Sequence, residues 1–103
     1  MKYKYELIYG IEYNKDKKSV GYVNIDNFLK DIAASFGGYS KTINEGGYIM
    51  SDGTLVQELS STITILTAVN SDILIEGFAN ILKQLYSQES VIIVRTTIKG
   101  RFI

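Results

Sequence analysis

Three patterns in the sequence predict an α+β chain with a four-stranded antiparallel sheet and two helices on one face. Apolar and aromatic residues alternate with polar ones over Tyr3–Tyr13, and strand-like runs return over Leu55–Ile65 and near the C-terminus from Ser90. That is the period of strands with one buried side. Between them, Ile25, Phe28, Leu29, Ile32 and Phe36, and later Leu74, Phe78, Ile81, Leu82 and Leu85, recur at the spacing of amphipathic helices. With a strand from Tyr39 onward, the order becomes β-α-β-β-α-β. Two right-handed split βαβ units close such a chain into the ferredoxin-like arrangement, with the first and third strands in the centre. Residues 1–103 read as one such domain, large enough for a single core.

The first strand places Tyr3, Tyr5, Leu7, Tyr9, Ile11 and Tyr13 on one face and Lys2, Lys4, Glu6 and Glu12 on the other. The charged run Asn14-Lys15-Asp16-Lys17-Lys18 reads as a solvated loop. A helix from about 24 to 36 follows, with Asn24 or Asp26 as its N-cap and Gly37 as the left-handed residue that ends it. The next strand runs from about Tyr39 to Asn44, is expected to bend at Gly46-Gly47, and resumes through Tyr48. Asp52-Gly53 marks a tight hairpin. In the returning strand Leu55, Leu59, Ile63 and Ile65 mark the buried face. The second helix, about 71 to 87, carries Gly77, which suggests close packing against a neighbour. In the last strand Ile92, Val94, Thr96 and Ile98 share one face, while Val91, Ile93, Arg95, Lys99 and Arg101 fall on the other, open one.

Composition excludes more than it assigns. Histidine and cysteine are both absent, which removes Ser-His-Asp and Cys-His catalysis, histidine metal sites and thiolate sites together. No two acids stand at a diagnostic spacing, so neither a metal nor a cofactor is expected. Eleven basic and eleven acidic side chains cancel, and a general nucleic-acid binder ordinarily shows a basic excess. No apolar run approaches the length of a membrane span, and Met1–Glu6 lacks a signal-peptide core, so a cytoplasmic protein is expected.

The stretch most suited to carry function is Phe36-Gly37-Gly38-Tyr39-Ser40-Lys41-Thr42-Ile43-Asn44-Glu45-Gly46-Gly47-Tyr48. Consecutive glycine amides can form an anion-binding nest, Ser40, Lys41 and Thr42 add donors, and Tyr39 and Tyr48 can stack on a flat ring. It is neither a Walker loop nor a Rossmann fingerprint. A bulged edge strand relieved by glycine is the competing account. Arg95 adds a guanidinium suited to phosphate or carboxylate. The candidate ligand-binding set is therefore Phe36, Gly38, Tyr39, Ser40, Lys41, Thr42, Gly46, Gly47, Tyr48 and Arg95, with no catalytic residue assigned.

The segments Phe36-Gly37-Gly38-Tyr39-Ser40 and Glu45-Gly46-Gly47-Tyr48, with Asp52-Gly53 and Gln88-Glu89 before the last strand, are similar to those of small proteins of phages and mobile elements. Those proteins carry a Phe-Gly-Gly-aromatic-Ser/Thr segment and a later Gly-Gly-aromatic. The resemblance implies a non-enzymatic accessory protein that works by binding, either sequestering a nucleotide signal of host immunity or blocking a host protein. The leading expectation is a homodimer or higher homo-oligomer that binds a small anionic ligand such as a nucleotide. An interaction module acting through the open sheet or the glycine-rich edge is the alternative. A cofactor-free enzyme using tyrosine and carboxylate groups is the third reading.

Overall fold

The computed structural model describes residues 2–13, 18–19, 23–88, 90–101 and 103. Residues 14–17 of the charged run, Glu89, Phe102 and the side chains of Glu12, Tyr13, Lys18 and Ser19 lie outside that description, while Lys18, expected in the loop, begins a short strand. In chain order the elements are β1 (Tyr3–Tyr13), β2 (Lys18–Ser19), α1 (Asp26–Phe36), β3 (Ser40–Ile49), β4 (Leu55–Thr67), α2 (Asp72–Leu85) and β5 (Ile92–Thr97). All pairings are antiparallel, and the long strands lie in the order β3-β4-β1-β5. This is the expected ferredoxin-like sheet with β1 and β4 central. The addition is β2, which pairs with the far end of β1 at Glu12 and Tyr13, beyond the reach of β5.

One face of the sheet carries the core. Tyr5, Leu7 and Tyr9 of β1 and Ile63 and Ile65 of β4 meet Phe28, Leu29 and Ile32 of α1 and Ile75, Phe78 and Leu82 of α2. These are the periodic positions of strand and helix, so the core follows from the pattern of the sequence. The Phe28 and Phe78 rings meet edge to face at 5.6 Å and lock the two helices together. Tyr9 packs on Tyr86 at 4.8 Å.

Several boundaries and faces differ from expectation. The register of β1 shifts between Gly10 and Glu12, a bulge that ends the simple alternation at Ile11. The N-cap of α1 is Ile25 rather than Asn24 or Asp26, although the Asn24 side chain accepts the Asp26 amide at 3.0 Å. Gly37 does take the left-handed C-cap, at φ 85°, and donates to the Ala33 carbonyl. β3 runs unbroken through Gly46 and Gly47, in constant register with β4, so the expected bend does not occur. The hairpin that follows is a three-residue loop, Ser51-Asp52-Gly53. Gly53 is left-handed at φ 86°, and the Asp52 carboxylate accepts the Thr54 amide.

β5 has the opposite facing to that expected. Arg95 stands across from Tyr5 and Ile93 across from Leu7, on the helix side, while Ile92, Val94 and Thr96 face the open side. Polarity misleads here because β5 is an edge strand only partly covered by α2, and Arg95 finds an ion partner on that helix. Lys99 and Arg101 lie past the end of the strand. In β4, Leu55 is half exposed, whereas Val56, placed on the open face, is fully buried.

Candidate functional site

The structure distributes the sequence-selected residues over both faces and both edges of the sheet. Phe36 is the last residue of α1 and packs on Phe78 at 6.1 Å. Tyr39, 42% exposed, lines a cleft of about 320 Å³ beside α1 with Asp26, Leu29, Lys30 and Ala33. Lys41 and Gly47 then share the helix side of β3, with Ile43 and Glu45. Ser40, Thr42, Gly46 and Tyr48 share the open side. Thr42 offers its carbonyl to the Ser61 hydroxyl at 2.9 Å, and the Asn44 amide donates to Thr62 at 2.8 Å. All ten residues of β3 are exposed, on either face. Arg95 sits on the far edge, three strand spacings away, about 14 Å. Within one chain these ten residues do not converge on a common ligand.

Gly47 is held by its surroundings. A Cβ there would approach the Val56 carbonyl oxygen at 3.1 Å. Gly38 and Gly46 meet nothing within 4 Å, so their own chain gives no packing reason for glycine.

A second cluster, missed in the sequence, forms where α2 begins. Tyr5, buried on the central strand, donates its hydroxyl to Asp72 Oδ1 at 2.7 Å and accepts the Ser71 amide at 2.9 Å. Arg95 Nη1 donates to the other oxygen, Asp72 Oδ2, at 2.8 Å, and its guanidinium lies 5.8 Å from the centre of the Tyr3 ring. Burial, and then the neighbouring Asp72, raise the Tyr5 hydroxyl above the ordinary tyrosine range. The hydroxyl of Tyr5, helped by Arg95, holds the Asp72 carboxyl below the ordinary range. Asp72 in turn raises Arg95. No sequence spacing links residues 5, 72 and 95; only the strand order brings them together.

Beside this cluster opens the larger concavity, about 620 Å³, lined by Asn70, Ser71 and Asp72 at one end and by Leu74, Gly77, Phe78 and Ile81 along α2. Gly77 is part of its lining. Nothing stands within 4 Å of the place its Cβ would take, so it leaves space rather than permitting the close helix packing expected. Apolar walls with polar groups at one end, next to side chains of shifted acidity, are the features of a small-molecule site. Among the described residues no group of acidic side chains is arranged to hold a metal ion, and no helix is long and apolar enough to cross a membrane.

Comparison with known proteins gives likeness of structure alone. No family model and no curated protein sequence matches the chain. Two solved structures do. One is a phage SAM lyase in complex with S-methyl-5′-thioadenosine, with a TM-score of 0.62 and 24% identity over 93% of this chain and 81% of that one. The other is a phage SAM lyase in the apo state, with a TM-score of 0.57 and 24% identity over 92% of this chain and 79% of that one. At that identity the likeness establishes the fold.

Proposed function

We propose that this chain is a phage-type anti-defence protein that works as a homo-oligomer and binds a small adenosyl-sulfur molecule. That molecule is S-adenosylmethionine or S-methyl-5′-thioadenosine, and it lies in the groove along α2. The observation that carries the reading is the end-to-end likeness to a ligand-bound phage SAM lyase. The groove's chemistry supports it and narrows the nucleotide expected from sequence. Its polar end presents the Asp72 carboxylate, and the nearest guanidinium, that of Arg95, is already paired with it. A phosphate would be repelled there. A sulfonium cation or a neutral thioether nucleoside would not, and Leu74, Phe78 and Ile81 offer its flat ring an apolar wall.

Turnover, the third of the sequence-based readings, gains from the same likeness. Cleavage of S-adenosylmethionine to S-methyl-5′-thioadenosine breaks the bond between sulfur and the amino-acid chain, because the methyl and adenosyl groups both remain on sulfur. Sulfur keeps the bonding electron pair and leaves as a neutral thioether, so no acid has to protonate it. The carbon left behind bonds to an oxygen of the substrate's own carboxylate and closes a lactone, so no proton has to move. Such a step asks a protein for orientation and exclusion of solvent rather than for histidine or cysteine.

Calorimetric titration with both molecules, with mass spectrometry of the mixture, tests the proposal. Saturable binding is expected, and Gly77→Phe, which adds a ring to the groove's lining, should weaken it by about tenfold or more (about 1.4 kcal/mol) without loss of fold. Failure of the wild-type protein to bind either molecule at millimolar concentration would overturn the reading. The cleft at Tyr39, Lys30 and Asp26 is the second place for such a ligand, favoured by its exposed ring beside one basic and one acidic residue. Loss of binding in Tyr39→Ala but not in Gly77→Phe would move the site there.

A further inference from the structure

The two Gly-Gly-Tyr segments remain unexplained by the α2 groove; the first leads into β3 and the second lies on it, a strand with a free edge. Among the described residues β3 pairs with β4 alone. Its backbone orientation is fixed by the hairpin, where the Met50 amide donates to the carbonyl of Thr54, the residue before β4, at 2.8 Å. Backbone groups of an antiparallel pair alternate in direction. The unbroken register therefore aims the N–H and C=O of Lys41, Ile43, Glu45 and Gly47 away from β4, at the free edge. This edge is ten residues long, contains no proline, and exposes Ile43 by 65%. Such an edge is a template for another strand.

We propose that β3 pairs antiparallel with β3 of a second copy about a two-fold axis at Ile43, joining two sheets into one. The sequence around this centre is self-complementary. Ile43 opposes its own counterpart. Lys41 opposes the second copy's Glu45, twice by symmetry, on the helix side of the sheet. Thr42 opposes Asn44 on the open side. Farther out, Tyr39 opposes Gly47, and Tyr48 opposes Gly38, so each large ring crosses to a glycine that leaves room for it. Gly38, for which its own chain supplies no neighbour, thereby gains a reason.

Charge selects this register over its neighbours. Only registers shifted by two residues keep the same faces together. Centring on Lys41 would oppose two lysines, and centring on Glu45 two glutamates. Centres at Thr42 or Asn44 would leave both charges opposite uncharged groups. The association uses the strand edge, independent of the α2 groove, so failure of the ligand reading leaves it standing. It leaves the open sheet face out of the contact, and Arg95, expected on that face, lies on the helix side.

The test exploits a chain without cysteine. Under mild oxidation the full-length Ile43→Cys variant should form a covalent dimer, since a self-opposed pair falls within disulfide reach. Ile49→Cys, equally exposed at 66% but far from its counterpart in this register, should not. By sedimentation, Lys41→Glu should raise the dimer dissociation constant roughly tenfold, and adding Glu45→Lys to it should restore the wild-type value. Ile43→Pro removes an outward amide, which β4 does not use, and should give a folded monomer. A monomeric wild-type protein at high concentration, equal cross-linking at 43 and 49, or no restoration by the charge swap would overturn the proposal.

Discussion

The hydroxyl of Tyr5 lies 2.7 Å from a carboxylate oxygen of Asp72, linking the first half of β1 to the first residue of α2. The same oxygen of Tyr5 accepts the Ser71 amide. One buried side chain thus fixes where α2 begins and how it sits on the sheet. The α2 groove inherits its position from that bond.

Removing the hydroxyl should therefore cost more than removing the ion pair. Tyr5→Phe strands the Ser71 amide and takes a donor from Asp72, and is expected to destabilise the chain by about 1–3 kcal/mol. Arg95→Ala breaks a half-exposed pair with the same Asp72 and should change stability less than Tyr5→Phe does, an effect that fades in high salt. Denaturant titration of the two variants checks the order.

The acidities set the pH response. Because Asp72 is held below its unfolded value of 3.8, its contribution is fully present above that value and is lost as pH falls through the lower folded value. Tyr5 is raised above 10.0, so its contribution is present below pH 10 and is lost as pH rises toward the folded value. Stability should be level between these limits, and thermal melts across pH should show Asp72→Asn flattening the acid limb.

Two glycines should respond in opposite directions to alanine. Gly37 sits at φ 85°, where alanine is strained, and the substitution should cost about 1 kcal/mol. Gly77 lies within α2 with open space above it, so alanine should add up to about 1 kcal/mol. Melting temperatures of the pair would separate a conformational need from a functional one.

Core substitution gives the scale for these effects. Ile63→Ala, at a fully buried position on β4 facing both helices, should cost about 2–5 kcal/mol. Chemical denaturation measures it directly.

The sequence made the sheet and its core legible because burial there is decided by local periodicity. Tyr5, Leu7, Ile63, Phe28 and Leu82 each fall on the predicted face. It failed where a residue's surroundings come from a distant strand. Arg95 was assigned to the open face because it alternates with Lys99 and Arg101, and its partner Asp72 lies on another element. The site was legible only in part. The glycine segment was visible as a pattern, but its residues divide between two faces because a strand, unlike a loop, alternates. The Tyr5 cluster gave no local signal, since its three members meet only after β1, α2 and β5 assemble.

The placement of β1 between β4 and β5 also bears on how the molecule is made. Ile8 hydrogen-bonds beside Ile92, and Tyr3 beside Thr97, so the first strand synthesised waits for the last of these strands before its edge is covered. The β3–β4 hairpin closes locally and much sooner. A nascent chain therefore presents the ribosome's surroundings with a finished β3 edge while β1 still lacks β5 on its other side. Chains emerging side by side from one messenger would meet through the part that is already complete.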